Sequence, residues 1–585
     1  MVTTASQGFQ HLISAIRPAI SLILLAVKRQ WPDSTCLILP CLRRTAHART
    51  PALPPQSLMP VERERWQRLQ VCKVLLKKPW RVAAVHTADM LHRRKFFLFI
   101  FVVGIGGSFQ FGFNIAAINP PSEYIKNFIN ATWYERHGTP LQEYSLMLLW
   151  SFIVSVYPVG GLVGAQFAAV LTAKYGRKKS LLCNNIVAIM AALIMGFSKM
   201  AGSFEMIVGG RFLYGISIGI GLVAHGLYLG EIAPKELRGA VCLTRAVFAA
   251  FGKWMGLVVG LRQILGGEST WHLLLAFSGL PALIQLVTLP WFPESPRYLL
   301  MEKGNTALCI DALQRLWGSG DFTEEVEEMM AERAQTQGET KRNILELLRD
   351  KTVRCQLLTA VAISSGMQLS GINIIYFYAS DVYQQLGIAK DMIPYVGIGA
   401  SGIEMLTSVM CGFVIERAGR KVLLWRGYCF MALWILLLII TLSLKERYFW
   451  IPYCSLAFIF AYIFTFGMGP GSVSGVLPLE IFTQSNRPIA LVTANTLQWM
   501  SLFVLGLVFP FVVDVLGPFS FFLFFGSCCF AALFMFYVLP ETKGKTLLQI
   551  NEDFNNLRNA KRGMCSIFRK RLVVPNQTVV LSTRL

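Results

Sequence analysis

A chain of 585 residues that is 54% hydrophobic and only 15% charged is too apolar to hide its hydrocarbon in a soluble core. That excludes an ordinary water-soluble domain and points to lipid as the solvent of its outer surface. The formal net charge of +22 suggests nucleic acid only until it is mapped: residues 1–94 hold 15 Lys or Arg against 4 Asp or Glu, and much of the rest gathers where apolar runs end. Such a distribution suits anionic lipid and requires no nucleic-acid partner.

Residues 1–94 read as a basic, disordered cytosolic extension. Its apolar run Leu22 to Val27 is closed in by Arg17-Pro18 and Lys28-Arg29, too short for a span and without a small-residue cleavage site behind it. Six runs long enough to cross a bilayer follow near 96–118, 146–171, 180–199, 205–229, 240–262 and 272–292. A charged interval at 301–352 reads as a cytosolic linker of short helices, with Glu324 to Arg333 a solvated one. Six more runs lie near 356–380, 393–415, 422–444, 450–478, 489–514 and 518–539, and 541–585 is a cytosolic tail. The expected fold is therefore an all-α membrane protein of twelve transmembrane helices in a 6+6 arrangement, with bundles at 95–300 and 353–540.

Three motifs recur at an offset of about 245 residues, as expected of two homologous halves. Gly176-Arg177-Lys178 returns as Gly419-Arg420-Lys421, Glu231 with Arg238 returns as Glu480 with Arg487, and Pro293-Glu294-Ser295 returns as Pro540-Glu541-Thr542. The basic segments all fall on one side of the helices, which places both termini in the cytosol. On the opposite side Asn130-Ala131-Thr132 is an N-glycosylation acceptor between the first two spans; Asn576-Gln577-Thr578, in the tail, is expected to stay unmodified. The 13 cysteines show neither metal-ligand nor disulfide spacing. No Gly-rich phosphate loop or catalytic cluster is visible, so neither an enzyme nor an ATP-driven pump is expected, and no cofactor, metal or obligate protein partner is implied.

Gly209-Gly210-Arg211, Gly230-Glu231 with Arg238-Gly239, the run Pro293 to Leu300, Gln368-Leu369-Ser370-Gly371-Ile372-Asn373, Glu416-Arg417-Ala418-Gly419-Arg420, Met468-Gly469-Pro470-Gly471 and Pro540 to Thr546 stand together in this chain. Over about residues 96–560 they resemble the facilitative sugar transporters of the major facilitator superfamily, and Met255 to Arg262 and Gly104 to Gly112 are similar to its fructose-type branch, class II. The resemblance implies a facilitative hexose carrier, for fructose and/or glucose, of the plasma membrane.

A hexose loses water from each hydroxyl on entry, so its site must return hydrogen bonds through amides and cover the C–H faces with aromatic rings. Gln368, Asn373, Gln498 and Trp499 supply those groups. Where glucose-preferring members of the family carry amides or a tryptophan, this chain has Ala246, Met367, Ser364-Ser365-Gly366 and Gly475, which widens the expected cavity and favours fructose. The resemblance also implies that Glu231, Arg238, Glu416, Arg417, Arg420, Glu480 and Arg487 form an inner gate whose charges pair when it is shut.

Two rivals remain. Proton-driven relatives carry Asp where this chain has Asn114, and an amide cannot cycle a proton; His225 and Glu404 are the titratable groups left for coupling. An organic-anion carrier, of urate for example, would use Lys253, which sits two turns beyond Ala246 on one helical face. A lone charge at that depth is costly, so Lys253 and Glu404 are expected to face the cavity and neutralise one another. A sugar sensor that binds without flux would carry the same motifs.

Overall fold

The computed structural model describes residues 94–556 except 235–236, 319, 337–348, 350, 445–446, 448–449, 483–486 and 546–548. The extension 1–93 and the tail beyond 556, with the Asn576 sequon, lie outside the described residues. Among the described residues twelve helices are long and apolar enough to cross a membrane, the number expected from the sequence. They are α1 (Phe96–Ala116), α2 (Glu143–Tyr175), α3 (Arg177–Phe197), α4 (Glu205–Ile232), α5 (Arg238–Val259) and α6 (Trp271–Trp291) in the first half. The second half has α7 (Val353–Phe377), α8 (Ile393–Ala418), α9 (Arg420–Ser443), α10 (Ile451–Val473), α11 (Ile489–Leu516) and α12 (Phe521–Val538).

Lipid offers no partner to a free backbone group, so breaks in such helices must be sheltered by protein. The breaks here cluster in buried positions. In α1 a π turn spans Ile105–Phe109, and all five of its residues are buried. The first segment of α7 stops at Leu369; Gly371, at φ +87°, then starts the short helix Ile372–Phe377, all of it buried. In α10 the helix ends at Met468 and resumes at Pro470, which has no N–H to give.

Helices α2 and α4 approach closely enough to exclude side chains. A Cβ on Gly160 would lie 2.1 Å from the Phe212 carbonyl oxygen, one on Gly215 2.1 Å from that of Tyr157, and one on Gly164 2.1 Å from that of Ile216. In a bilayer, where apolar burial gives no preference for protein over lipid, such backbone packing is what holds helices together. The halves meet along two seams. Along α2 and α11, Gln166 Nε2 donates to Thr496 Oγ1 at 2.5 Å and Tyr144 packs on Phe511; along α5 and α8, Trp254 faces Gly402 and Leu257 faces Gly397.

Several shorter helices lie outside the spans. Helix Ser122–His137 follows α1 and is tied to the start of α4 by Arg136, which pairs with Glu205 at 2.5 Å and donates to the Gly202 carbonyl at 2.8 Å. After α6 come Pro296–Met301, Thr306–Trp317 and Thr323–Thr336. Ser295 and Asn305 cap the first two, accepting from Tyr298 N and Leu308 N. Leu300, Cys309, Leu313, Phe322 and Val326 give these short helices a core of their own, and Trp317 Nε1 fastens them to the Ile232 carbonyl at the end of α4.

Gly215→Val should force α2 from α4, at about 1–3 kcal/mol for overpacking, and lower the melting temperature in detergent; Gly209→Ala, whose Cβ meets nothing within 4 Å, should not. Equal melting of the two variants in heated size-exclusion runs would refute the close crossing.

Candidate functional site

At the basic end of each half the repeated motifs build the same knot. Gly176 and Gly419, at φ +90° and +87°, turn the chain sharply into α3 and α9. The Glu294 carboxylate then accepts from Arg177 N at 3.0 Å and Lys178 N at 3.0 Å, as Glu541 accepts from Arg420 N at 2.8 Å and Lys421 N at 3.0 Å. These are the free N–H groups of a helix N-terminus, where negative charge is favoured. A side chain at either glycine would collide, because its Cβ would lie 2.5 Å from Glu294 Oε2 or 2.6 Å from Glu541 Oε2.

Each knot carries an ion pair. Arg177 Nη2 stands 2.6 Å from Glu231 Oε1, and Ser295 Oγ donates to Glu231 Oε2 at 2.5 Å. In the second half Arg420 Nη2 stands 2.9 Å from Glu480 Oε1, and Thr542 Oγ1 donates to Glu480 Oε2 at 2.7 Å. Arg420 reaches Glu416 as well, at 2.8 Å.

These pairs join residues within one half; the resemblance implies further pairing across that face when the gate is shut. Among the described residues, Gly239 of α5 comes close to the other half, where a Cβ would lie 3.1 Å from Glu416 Oε1. Arg417 is exposed, Arg238 is half-buried, and the side chain of Arg487 lies outside the described set. Sequence reasoning left Arg177, Glu294 and Glu541 out of the gate; their place in a motif repeated in both halves was the available signal.

Deeper in the bundle, the breaks of α7 bring the two amides together. Asn373 Nδ2 donates to Gln368 Oε1 at 2.6 Å, and the two residues are only 3% and 1% exposed. Gln368 Nε2 and Asn373 Oδ1 remain buried with no partner. One donor and one acceptor thus stand unused side by side, a costly arrangement unless something else completes it. Trp499, 2% exposed, is wedged from α11 between Phe111 of α1 and Tyr157 of α2, both in edge contact at 5.8 Å. Gly161 makes room for its ring, and Gln498 beside it is half-buried.

Ala246 and Met367 are half-buried, and a Cβ on Gly475 would meet nothing within 4 Å, so space is left there. Lys253 and Glu404 are joined: Nζ lies 2.8 Å from Oε1, with the side chains 4% and 6% exposed. Tyr376, which sequence reasoning passed over, donates its hydroxyl to Glu404 Oε2 at 2.5 Å. Gln110 of α1 was also passed over; both polar atoms of its amide are buried without a partner. Asn130 lies in helix Ser122–His137, half-buried, with Oδ1 accepting from Leu141 N at 3.1 Å.

Two six-helix halves that meet around buried, half-satisfied amides define a membrane carrier of the major facilitator type. Residues 96–554 match the family described as "Sugar (and other) transporter", and the chain belongs to it: it is a multi-pass transporter and not an enzyme. It is 44% identical over 485 residues to human "Solute carrier family 2, facilitated glucose transporter member 11", covering 83% of this chain and 98% of that one. It is 42% identical over 460 residues to member 9 of Mus musculus, covering 79% and 86%, and 41% identical over 455 residues to member 5 of Bos taurus, covering 77% and 90%. The fold is also that of the major facilitator superfamily proton:xylose symporter XylE bound to 6-bromo-6-deoxy-D-glucose. That match has a TM-score of 0.68 at 24% identity and covers 78% of this chain and 99% of XylE.

Because the knots are duplicates, Glu231→Gln and Glu480→Gln should act alike. Each weakens a charged hydrogen bond worth about 1.5–3 kcal/mol, so maximal sugar exchange should fall several-fold at unchanged surface amount and nearly unchanged KM. Initial-rate measurements on both variants check this; normal turnover in either would remove the pair from the transport cycle.

Proposed function

We propose that this chain is a facilitative carrier of hexoses, fructose and/or glucose, that works by alternating access in the plasma membrane with both termini cytosolic. The observation that carries the reading is the unused donor and acceptor of Gln368 and Asn373, held side by side in a buried position. A sugar hydroxyl both accepts and donates, so one hydroxyl can complete the two amides together. In this reading Trp499 and Gln498 complete the site, the tryptophan turning toward a C–H face of the sugar ring when substrate enters. The names of the relatives, facilitated glucose transporters, support a hexose; the space beside Gly475 and the absence of amides at Ala246 and Met367 support fructose within that class.

In this reading the working bundles are residues 95–300 and 353–540, with 301–352 as cytosolic linker and 1–94 and 541–585 as cytosolic ends. Glu231, Arg238, Glu416, Arg417, Arg420, Glu480 and Arg487 belong to the inner gate. Asn130 carries a glycan on the outer side.

The rival readings draw less support from the structure. The anion reading was argued from Lys253, and Glu404 stands against that ammonium at 2.8 Å, which weighs against it. Proton coupling through α1 would need an acid at Asn114; that amide donates to Ser278 Oγ at 2.8 Å and to the Gln110 carbonyl at 3.0 Å, while Arg211 Nη1 donates to the Asn114 carbonyl at 2.8 Å. His225 is fully buried, its Nδ1 accepting from the Ser108 N–H of the π turn at 3.3 Å, which suits packing inside the first half.

Gln368→Ala and Asn373→Ala should each raise the hexose KM roughly several-fold, the effect of a hydrogen bond worth about 0.5–1.5 kcal/mol, with surface expression retained; wild-type kinetics in both would move the site elsewhere. Hexose uptake should also show counterflow and be indifferent to a proton ionophore. Accumulation that collapses with the proton gradient would overturn the uncoupled mechanism.

A further inference from the structure

We propose that Lys253, Glu404 and Tyr376 form a latch that joins the two halves on the outer side of the amide site and holds Asn373 in position when that side is shut. It rests on the alternating-access reading above and adds to it the residues that couple closure to the sugar site.

The geometry places one carboxylate between two jobs. Lys253 belongs to α5 of the first half and lies in the part of that helix remote from its basic end at Arg238. Its Nζ meets Glu404 Oε1 of α8, in the second half, at 2.8 Å. The other oxygen of the same carboxylate accepts from the Tyr376 hydroxyl at 2.5 Å. The ammonium also stands 4.4 Å from the centre of the Tyr376 ring and 5.8 Å from that of Phe466. Tyr376 lies on the short helix Ile372–Phe377, one turn beyond Asn373. Glu404 thus grips the opposite half with one oxygen and the helix that carries the amide with the other.

The chemistry makes such a contact conditional. An ion pair shut away from water is tolerated only while its members stay together. When the halves part on this side, water reaches both charges and replaces the lost attraction, so opening is not blocked. Removing one member does the opposite: the remaining charge is stranded in the shut state alone, which drives the carrier toward the open one. Lys253 and Glu404 therefore act as positioning residues whose balance sets how long the outer side stays shut. The Tyr376 hydroxyl transmits that closure to Asn373.

A cysteine at Gly397 reports the state. Gly397 is buried on α8, about two turns outward from Glu404, and a Cβ there makes ordinary contact with Leu257 of α5 at 3.5 Å. In intact cells expressing the full chain, a membrane-impermeant maleimide should label Gly397→Cys slowly. Adding Lys253→Met or Glu404→Gln should speed labelling on the order of tenfold per surface molecule and depress maximal hexose exchange. The combination of Lys253→Met with Glu404→Gln strands no charge and should return both readings most of the way. Tyr376→Phe should leave labelling slow while raising the hexose KM several-fold.

Unchanged labelling in both single variants, a double variant that labels as fast as the faster single one, or a flux loss that merely follows surface amount would each overturn the latch. If a single variant does not reach the surface, the exchange of charges, Lys253→Glu with Glu404→Lys, decides. Slow labelling and retained flux support the latch, and fast labelling or lost flux refutes it. Failure of the carrier reading itself is separable, since Gly397→Cys alone would then exchange no hexose whatever its labelling.

Discussion

The architecture hangs on two carboxylates. Glu294 and Glu541 each take the open N–H groups at the start of a membrane helix, α3 or α9, and each is the middle residue of the motif that closes its half. A helix end at the edge of hydrocarbon has few other partners, and the charge matches the dipole it meets. The neighbouring arginine is thereby fixed in place: Arg177 is turned onto Glu231 and Arg420 onto Glu480, so α3 is tied to α4 and α9 to the segment after α10. Sharp turns at Gly176 and Gly419 make the approach possible. Each half is in this way a unit clasped by its own residues.

Units so built can move against one another without being taken apart. Within the first half, α2 and α4 touch backbone to backbone at Gly160, Gly164 and Gly215, a contact with no slack. Between halves the contacts are of another kind: an indole against two rings, an ammonium against a carboxylate, a glutamine against a threonine. Such side-chain contacts can be exchanged for water or for substrate hydroxyls with modest change in free energy. Backbone contact inside each half and side-chain contact between the halves is the arrangement that the proposed rocking would require.

The number of spans was legible because it depends only on the length of apolar runs, and the duplication was legible because three motifs return in order. The amides were legible by type, since Gln368 and Asn373 interrupt an apolar run around a glycine. Their mutual hydrogen bond, and the donor and acceptor it leaves over, depend on side-chain rotamers that are set only once the chain has turned at Gly371. Pairing was legible where charge was scarce. Lys253 and Glu404 stand far from any run end, so few partners were open to either. At the crowded basic margin the same logic fails: many charges of both signs sit within reach, and which acid meets which base is set by helix tilt and depth. Arg177 was read as topology for that reason, although it grips Glu231. Tyr376 left no mark, because tyrosine in a membrane helix is common and its hydroxyl points somewhere only once the fold exists.

The clasp has a consequence for how the protein is made. Glu294 comes near the end of the first half in the order of synthesis, after every helix it locks, and Glu541 holds the same place in the second. While α3 and α4 are entering the bilayer, the start of α3 therefore lacks its carboxylate partner, and Arg177 with Glu231 lacks the serine that completes their contact. The first bundle is finished only when residues 293–295 leave the ribosome, well before α7 is translated. A chain released from the ribosome just before Glu294 would be an open assembly of six helices exposed to quality control, and one released just after residue 295 a closed bundle waiting for its twin.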